Sequence, residues 1–155
     1  LQFASTELQD DLKIRTLAAV QQKAAALKEA PEELKNDKEF MIMVMKANGM
    51  ALEHTGEEMK GDRELCMAAV AQNGEALRRA SEEMRNNEEV IIAAVQSQQI
   101  SESSYQAVPT NMWNNTTIVL AALENERLVG KSYFFDKFLP EAMKQNDQVR
   151  KAAGK

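Results

Sequence analysis

Apolar positions along this chain fall into short blocks at a fixed interval. Phe40–Met45, Leu65–Val70, Val90–Val95 and Ile118–Leu123 are each six residues of almost uninterrupted hydrophobic character. Each is too short to be a free-standing helix in water. Each is apolar over most of a helical circumference, which predicts packing on several sides at once. A polar, charge-rich stretch precedes every block, and these stretches are copies of one another. Pro31-Glu-Glu-Leu-Lys-Asn-Asp-Lys-Glu-Phe40 returns as Gly56-Glu-Glu-Met-Lys-Gly-Asp-Arg-Glu-Leu65 and as Ser81-Glu-Glu-Met-Arg-Asn-Asn-Glu-Glu-Val90, a step of 25 residues both times. Longer steps lead to Pro109–Ile118 and Pro140–Val149, and Ser5–Asp11 reads as a diverged first copy. Internal repetition of this length is the mark of a helical array.

Two columns run through all six copies. A long aliphatic occupies Leu8, Leu34, Met59, Met84, Met112 and Met143. Three residues later stands Asp or Asn, at Asp11, Asp37, Asp62, Asn87, Asn115 and Asn146. The second column predicts a helix N-cap, whose side-chain oxygen accepts from backbone N–H groups of the first turn. Glu39, Glu64 and Glu89 follow where the helix dipole favours an anion. Alanine pairs (Ala18-Ala19, Ala68-Ala69, Ala93-Ala94, Ala121-Ala122, Ala152-Ala153) predict close helix approach, with Met43-Val44 departing from it. Asn48-Gly49 and Asn73-Gly74 predict helix ends closed by a left-handed glycine. A second helix follows, with Leu77, Ala80 and Met84 on one face. The pattern therefore predicts a first helix near 37–47 and a second near 50–60, repeated.

The fold class so predicted is all-α, an α-solenoid of stacked two-helix repeats of about 25 residues, irregular in the C-terminal half. It forms one array over 1–155, with repeats near 5–30, 31–55, 56–80, 81–108, 109–139 and 140–155. The run Ala76-Leu-x-x-Ala-Ser-Glu-Glu-Met-x-Asn-x-x-Glu-Val-x-x-Ala-Ala-Val95, with its matches at Leu52, at Gly56–Asp62 and at Ala18-Ala19-Val20, resembles the repeat called domain of unknown function 4116. The resemblance covers nearly the whole chain and is strongest over 31–95. It supports the fold and carries over no activity and no ligand-binding motif. Neither chain end has the polar character of a capping repeat, which predicts a portion of a longer array or ends covered by neighbours.

Composition narrows the function classes. Residues 1–95 carry 18 acids and 12 bases, and residues 96–155 carry 6 acids and 7 bases, within a net charge of −5. With no basic block, nucleic acid is not an expected partner. No apolar run approaches the roughly 20 residues of a membrane span, which leaves peripheral contact with a membrane complex open. The single cysteine excludes an internal disulfide and points to a reducing, intracellular setting; within it, the resemblance implies the cytoplasm or an organelle, a plastid included.

Candidate chemistry is sparse. His54 is the sole histidine and shares its column with Arg79, which predicts a solvent-facing side chain; one histidine does not make a zinc site. Cys66 aligns with Met41 and Ile91 and reads as a small buried hydrophobe. Glu32-Glu33, Glu57-Glu58 and Glu82-Glu83 could be acid–base pairs or a surface for a basic partner. Their repetition beside Lys35, Lys60 and Arg85 reads as a solvated, charge-balanced ladder. The nine methionines fall mainly in core columns. Asn114 and Asn115 each open a glycosylation sequon, although Asn115 is already assigned as a cap. These readings predict no catalytic site, no metal, no cofactor and no small-molecule substrate.

Departures from the repeat carry the partner expectation. Trp113 occupies the column of Lys35, Lys60, Arg85 and Lys144. Tyr133, Phe134, Phe135 and Phe138 lie in an insertion at 128–139. Aromatic anchors of this kind are what protein interfaces use; the other reading is that the insertion folds over the array and seals it. The chain is thus expected to be a non-catalytic protein–protein interaction or scaffolding module. Two alternatives are a peripheral structural subunit of a large organellar assembly, photosynthetic or respiratory, and a regulatory or tethering array for an enzyme domain outside this segment.

Overall fold

The computed structural model describes residues 2–125 and 130–155, the side chains of 2–5 excepted. Every regular element among them is helical. The α-helices are α1 (Gln2–Gln22), α2 (Glu32–Lys35), α3 (Lys38–Ala47), α4 (Glu57–Lys60), α5 (Arg63–Gln72), α6 (Glu82–Arg85), α7 (Glu88–Val95), α8 (Glu102–Ala107), α9 (Thr116–Glu124), α10 (Lys131–Phe138), α11 (Glu141–Lys144) and α12 (Asp147–Ala152). Four 3-10 helices join them: η1 (Ala24–Glu29), η2 (Gly49–His54), η3 (Gly74–Arg79) and η4 (Thr110–Asn114). No helix among the described residues is long and apolar enough to cross a membrane.

The predicted caps form at five of six positions. Asp37 accepts from Phe40 N–H at 3.1 Å, Asp62 from Leu65 at 3.1 Å and Asn87 from Val90 at 3.2 Å. Asn115 accepts from Thr117 and Ile118, and Asn146 from Gln148 and Val149. The sixth fails. Asp11 lies inside α1, which runs unbroken because no Gly or Pro interrupts Gln2–Gln22, and it pairs instead with Arg15 one turn on, at 3.0 Å. Its column mate Leu8 is 69% exposed rather than buried.

The predicted second helix is also corrected. Between α3 and α5 the chain forms the 3-10 turn η2, then an extended link at Thr55 and Gly56, then the single turn α4. The cause is visible in the preceding copy. Pro31 has no N–H to continue a helix and drives Ala30 to an extended ψ of 144°. Ala80 takes the same bend at ψ 159°, and Ser81 then caps the next turn by accepting from Met84 N–H.

Gly49 and Gly74 do not close helices in a left-handed conformation. Only Gly130 and Gly154 among the described residues have positive φ, at 74° and 76°. What Gly49 and Gly74 permit is contact. A Cβ on Gly49 would stand 2.2 Å from the Ala69 carbonyl oxygen, and one on Gly74 would stand 2.6 Å from that of Ala94. The asparagines ahead of them, at φ −156° and −149°, cap η2 and η3 by accepting from Met50 and Glu75 N–H.

Packing follows the repeat. α1 lies on α3, α3 on α5, α5 on α7, α7 on α9 and α9 on α12, while η1 lies on η2 and η2 on η3. Between the two rows sit fully buried side chains from successive copies: Phe40 and Met41, Leu65 and Cys66, Val90 and Ile91, Ile118 and Val119, closed from the other row by Leu27, Leu52 and Leu77. Burying one such leucine contributes about 2 kcal/mol. Ala69, Ala94 and Ala122 are fully buried, so the small-residue column does bring helices together there.

Polar contacts cross each junction. Lys13 pairs with Asp37 at 2.9 Å. Lys38, 25 residues on, pairs with Asp62 at 3.1 Å and Glu64 at 2.8 Å, and Arg63 pairs with Glu89. In each case the base on one helix reaches acids at the start of the next. These pairs are exposed enough to contribute little stability; their periodicity favours one neighbour alignment. Asn48 donates to the Val20 carbonyl at 2.9 Å, and Asn125 to that of Val95 at 2.7 Å. Gly49 N–H donates to Gln72 Oε1 at 2.6 Å.

Candidate functional site

The five residues expected to contact partners gather in the C-terminal half, but mostly inside it. Trp113 is 2% exposed, Phe134 1% and Phe135 6%. Phe138 is half-buried, and Tyr133 alone is open, at 52%. Of the two expectations, this burial fits the one in which the insertion folds over the array, with Tyr133 alone left at the surface. The Trp113 and Phe134 rings meet edge to face at 5.3 Å between centroids, and Phe134 stacks on Phe138 at 5.4 Å. Phe135 lies apart, under the Lys155 ammonium. The start of the expected insertion, Leu128 and Val129, falls outside the described residues.

The burial has a local cause. α10 opens at Gly130, whose φ of 74° suits glycine, and brings Phe134 and Phe138 inward one turn apart. The column shared by Trp113 is not fully open either. Lys35, Lys60 and Lys144 leave only 21–23% of their side chains exposed as they fold back to Glu32, Glu57 and Glu141 at 2.9–3.4 Å. That column already shelters aliphatic stems, so an indole fits it without a partner. The same contacts form the glutamate ladder at Lys35 and Lys60, whereas the Arg85 Nε is buried without a hydrogen-bond partner among the described residues.

The fourth ring of the cluster is Tyr105, which the sequence reading passed over. It is 3% exposed and meets Phe134 edge to face at 5.1 Å, Phe138 at 6.1 Å and Trp113 at 6.3 Å. Its hydroxyl is buried with no hydrogen-bond partner, and burial pushes its pKa up to about 12. Tyr105 rides on α8, whose N-terminus is tied to η3 by one carboxylate. Glu75 accepts from Ser101, from Ser103 at 2.9 Å and from Ser104 at 2.8 Å. Burial raises the Glu75 carboxyl, but the hydroxyls of Ser101, Ser104 and Ser103, with Arg78 nearby, outweigh it and hold the group below its ordinary value. At the other side, Glu102 on α8 accepts from Lys137 and from the Tyr133 hydroxyl of α10. The signal for this arrangement was the run Ser101-Glu-Ser-Ser-Tyr105 in the irregular linker, which gives α8 a capping box between Ser101 and Ser104.

The remaining candidates occupy plain positions. Cys66 is fully buried, donates its S–H to the Lys60 carbonyl at 3.1 Å, and has its pKa pushed up to about 12 by burial and by Asp62. That suppresses the thiolate. His54 is half-buried rather than solvent-facing. It lines a cleft of about 180 Å3 with Lys35, Met41, Glu58 and Met59, and burial and then Lys28 lower its pKa. Asn114 is exposed, while Asn115 is held as a cap. No group of three metal-ligating side chains is present among the described residues.

Repeated caps, repeated junction contacts and buried columns at one spacing define an all-helical tandem-repeat protein. The model of the domain of unknown function (DUF4116) matches the chain twice, over residues 16–60 and 62–100, and the chain belongs to that family. Neither the curated proteins nor the solved structures contain a match.

Proposed function

We propose that the chain is an α-solenoid that acts as a non-catalytic protein–protein interaction or scaffolding module. One observation carries this reading. On the outer side of the helix row, apolar side chains recur at one register position without being sealed. Ile42, Met67, Ile92 and Leu120 are half-buried, and beside them Met43 is 53% exposed and Ala68 and Ala93 are half-buried. Helices packed in sequence place these positions side by side, giving an extended apolar strip of the sort that marks contact surfaces. The reading is supported further by the unreactive settings of Cys66 and of the paired glutamates.

The test compares the full chain with its Met43→Glu and Ile92→Glu variants as immobilised baits in extract from the native source, with melting temperature followed in parallel. An interaction module loses its captured proteins in the variants while Met43→Glu melts as the parent does. Identical captured proteins in parent and variants, or nothing retained above a control helical protein, would sink the proposal.

A further inference from the structure

Three features of the C-terminal half converge on one short helix. α8 is six residues long, and it packs chiefly on η3 and to a lesser extent on α7. It covers Trp113, Phe134 and Phe138 with a single large side chain, Tyr105. That side chain is an imperfect plug. Its hydroxyl is buried without a hydrogen-bond partner among the described residues, an arrangement that disfavours the closed state relative to a phenylalanine in the same place. What compensates lies at the helix start, where Glu75 gathers three serine hydroxyls, hydrogen bonds strengthened by the acceptor's charge.

We propose that α8 is a strap: a segment that opens separately from the helix row, closed over the Trp113 aromatic cluster by the Glu75–serine latch. Opening swings Tyr105 out and presents Trp113, Phe134 and Phe138 at the surface. Its root is fixed, because Gly74 N–H holds Ser97 Oγ at 3.0 Å and the Gln99 carbonyl at 2.8 Å. The hinge regions are therefore the residues just after Gln99 and those around Val108-Pro109. On the outer flank the strap is held by Glu102 with Lys137, a pair left 40–48% exposed and open to screening by salt. The latch is the stronger tie because Glu75 is half-buried and its three donors sit together at the cap and first turn of α8.

The strap gains a purpose from the interaction-module reading, yet its opening is a property of the isolated chain, so the two fail separately. Trp113 is the sole tryptophan and reports the cluster directly. The experiment measures acrylamide quenching of Trp113 and amide hydrogen exchange of 102–107, 38–47 and 63–72 in the full chain and in Glu75→Ala and Tyr105→Phe. Glu75→Ala is expected to raise the quenching constant at least threefold and to speed exchange over 102–107 at least tenfold, with 38–47 and 63–72 unchanged. Tyr105→Phe is expected to slow exchange over 102–107. Unchanged quenching in Glu75→Ala would show that the latch holds nothing. Exchange rising together over 102–107, 38–47 and 63–72 would show that α8 belongs to one cooperative body. Either result overturns the strap, as does faster exchange in Tyr105→Phe.

Discussion

A glycine and an aspartate show how far single letters reach. Asp37 and Asp62 could be assigned from spacing alone, because a cap needs only an acceptor three residues ahead of an apolar block. Replacing either with alanine should cost about 1 kcal/mol, read as a lower urea midpoint. Asp11→Ala should leave the midpoint where it was, since that side chain sits within α1. Gly49 and Gly74 were legible as special positions, but their reason was not. A glycine after asparagine signals either a left-handed turn or a tight approach, and only the neighbouring copy decides which. With the Ala69 carbonyl in the way of any side chain, Gly49→Ala should destabilise by about 1–3 kcal/mol. Gly56→Ala meets nothing within 4 Å at an ordinary φ of −72°, so it should stabilise slightly, by about 0.4–1 kcal/mol. Thermal unfolding of the two variants side by side checks the contrast.

Among elements, the α-helices of the row were readable and the pieces between them were not. Helical periodicity over 50–60 looks the same whether the chain forms one helix or a 3-10 turn followed by a single α-turn. The discriminating signal was the proline of one copy, which applies to its siblings only through their shared packing. The aromatic cluster was left between two readings for a related reason. Composition shows that Trp113 departs from its column, but not that α8 and α10 fold over it. The latch that closes α8 has a pH signature. Glu75 titrates below its ordinary value in the folded chain, so its contribution is fully present above about pH 4.3 and is lost as pH falls through the lowered value. Trp113 quenching should stay flat from about pH 8 to pH 5 and rise only below the usual carboxylate range. A rise already complete at pH 5 would mean that Glu75 is not the group holding α8.

At the scale of the whole molecule, the all-helical character and the order of the repeats were set by a pattern any reader can find in the sequence. The junctions were not, because their partners lie 23 to 30 residues apart and belong to no single motif. Their arithmetic has a genetic consequence. From Pro31 to Ser81 the copies are spaced by 25 residues, and each junction joins the same kinds of group. Deleting residues 56–80 in frame would set Lys38 opposite Glu89, and Gly49 opposite Ser97 in the place of Gly74. Unequal recombination within this stretch can therefore lengthen or shorten the gene by 75 nucleotides and still encode a protein whose junctions all match. Beyond Gln96 the spacing becomes 28 and then 31 residues, and Asn125, which repeats the Asn48 contact at Val95, also reaches Ser97 in the irregular linker. The gene is thus modular at one end and indivisible at the other, and lineages should differ in copy number ahead of α8 far more readily than behind it.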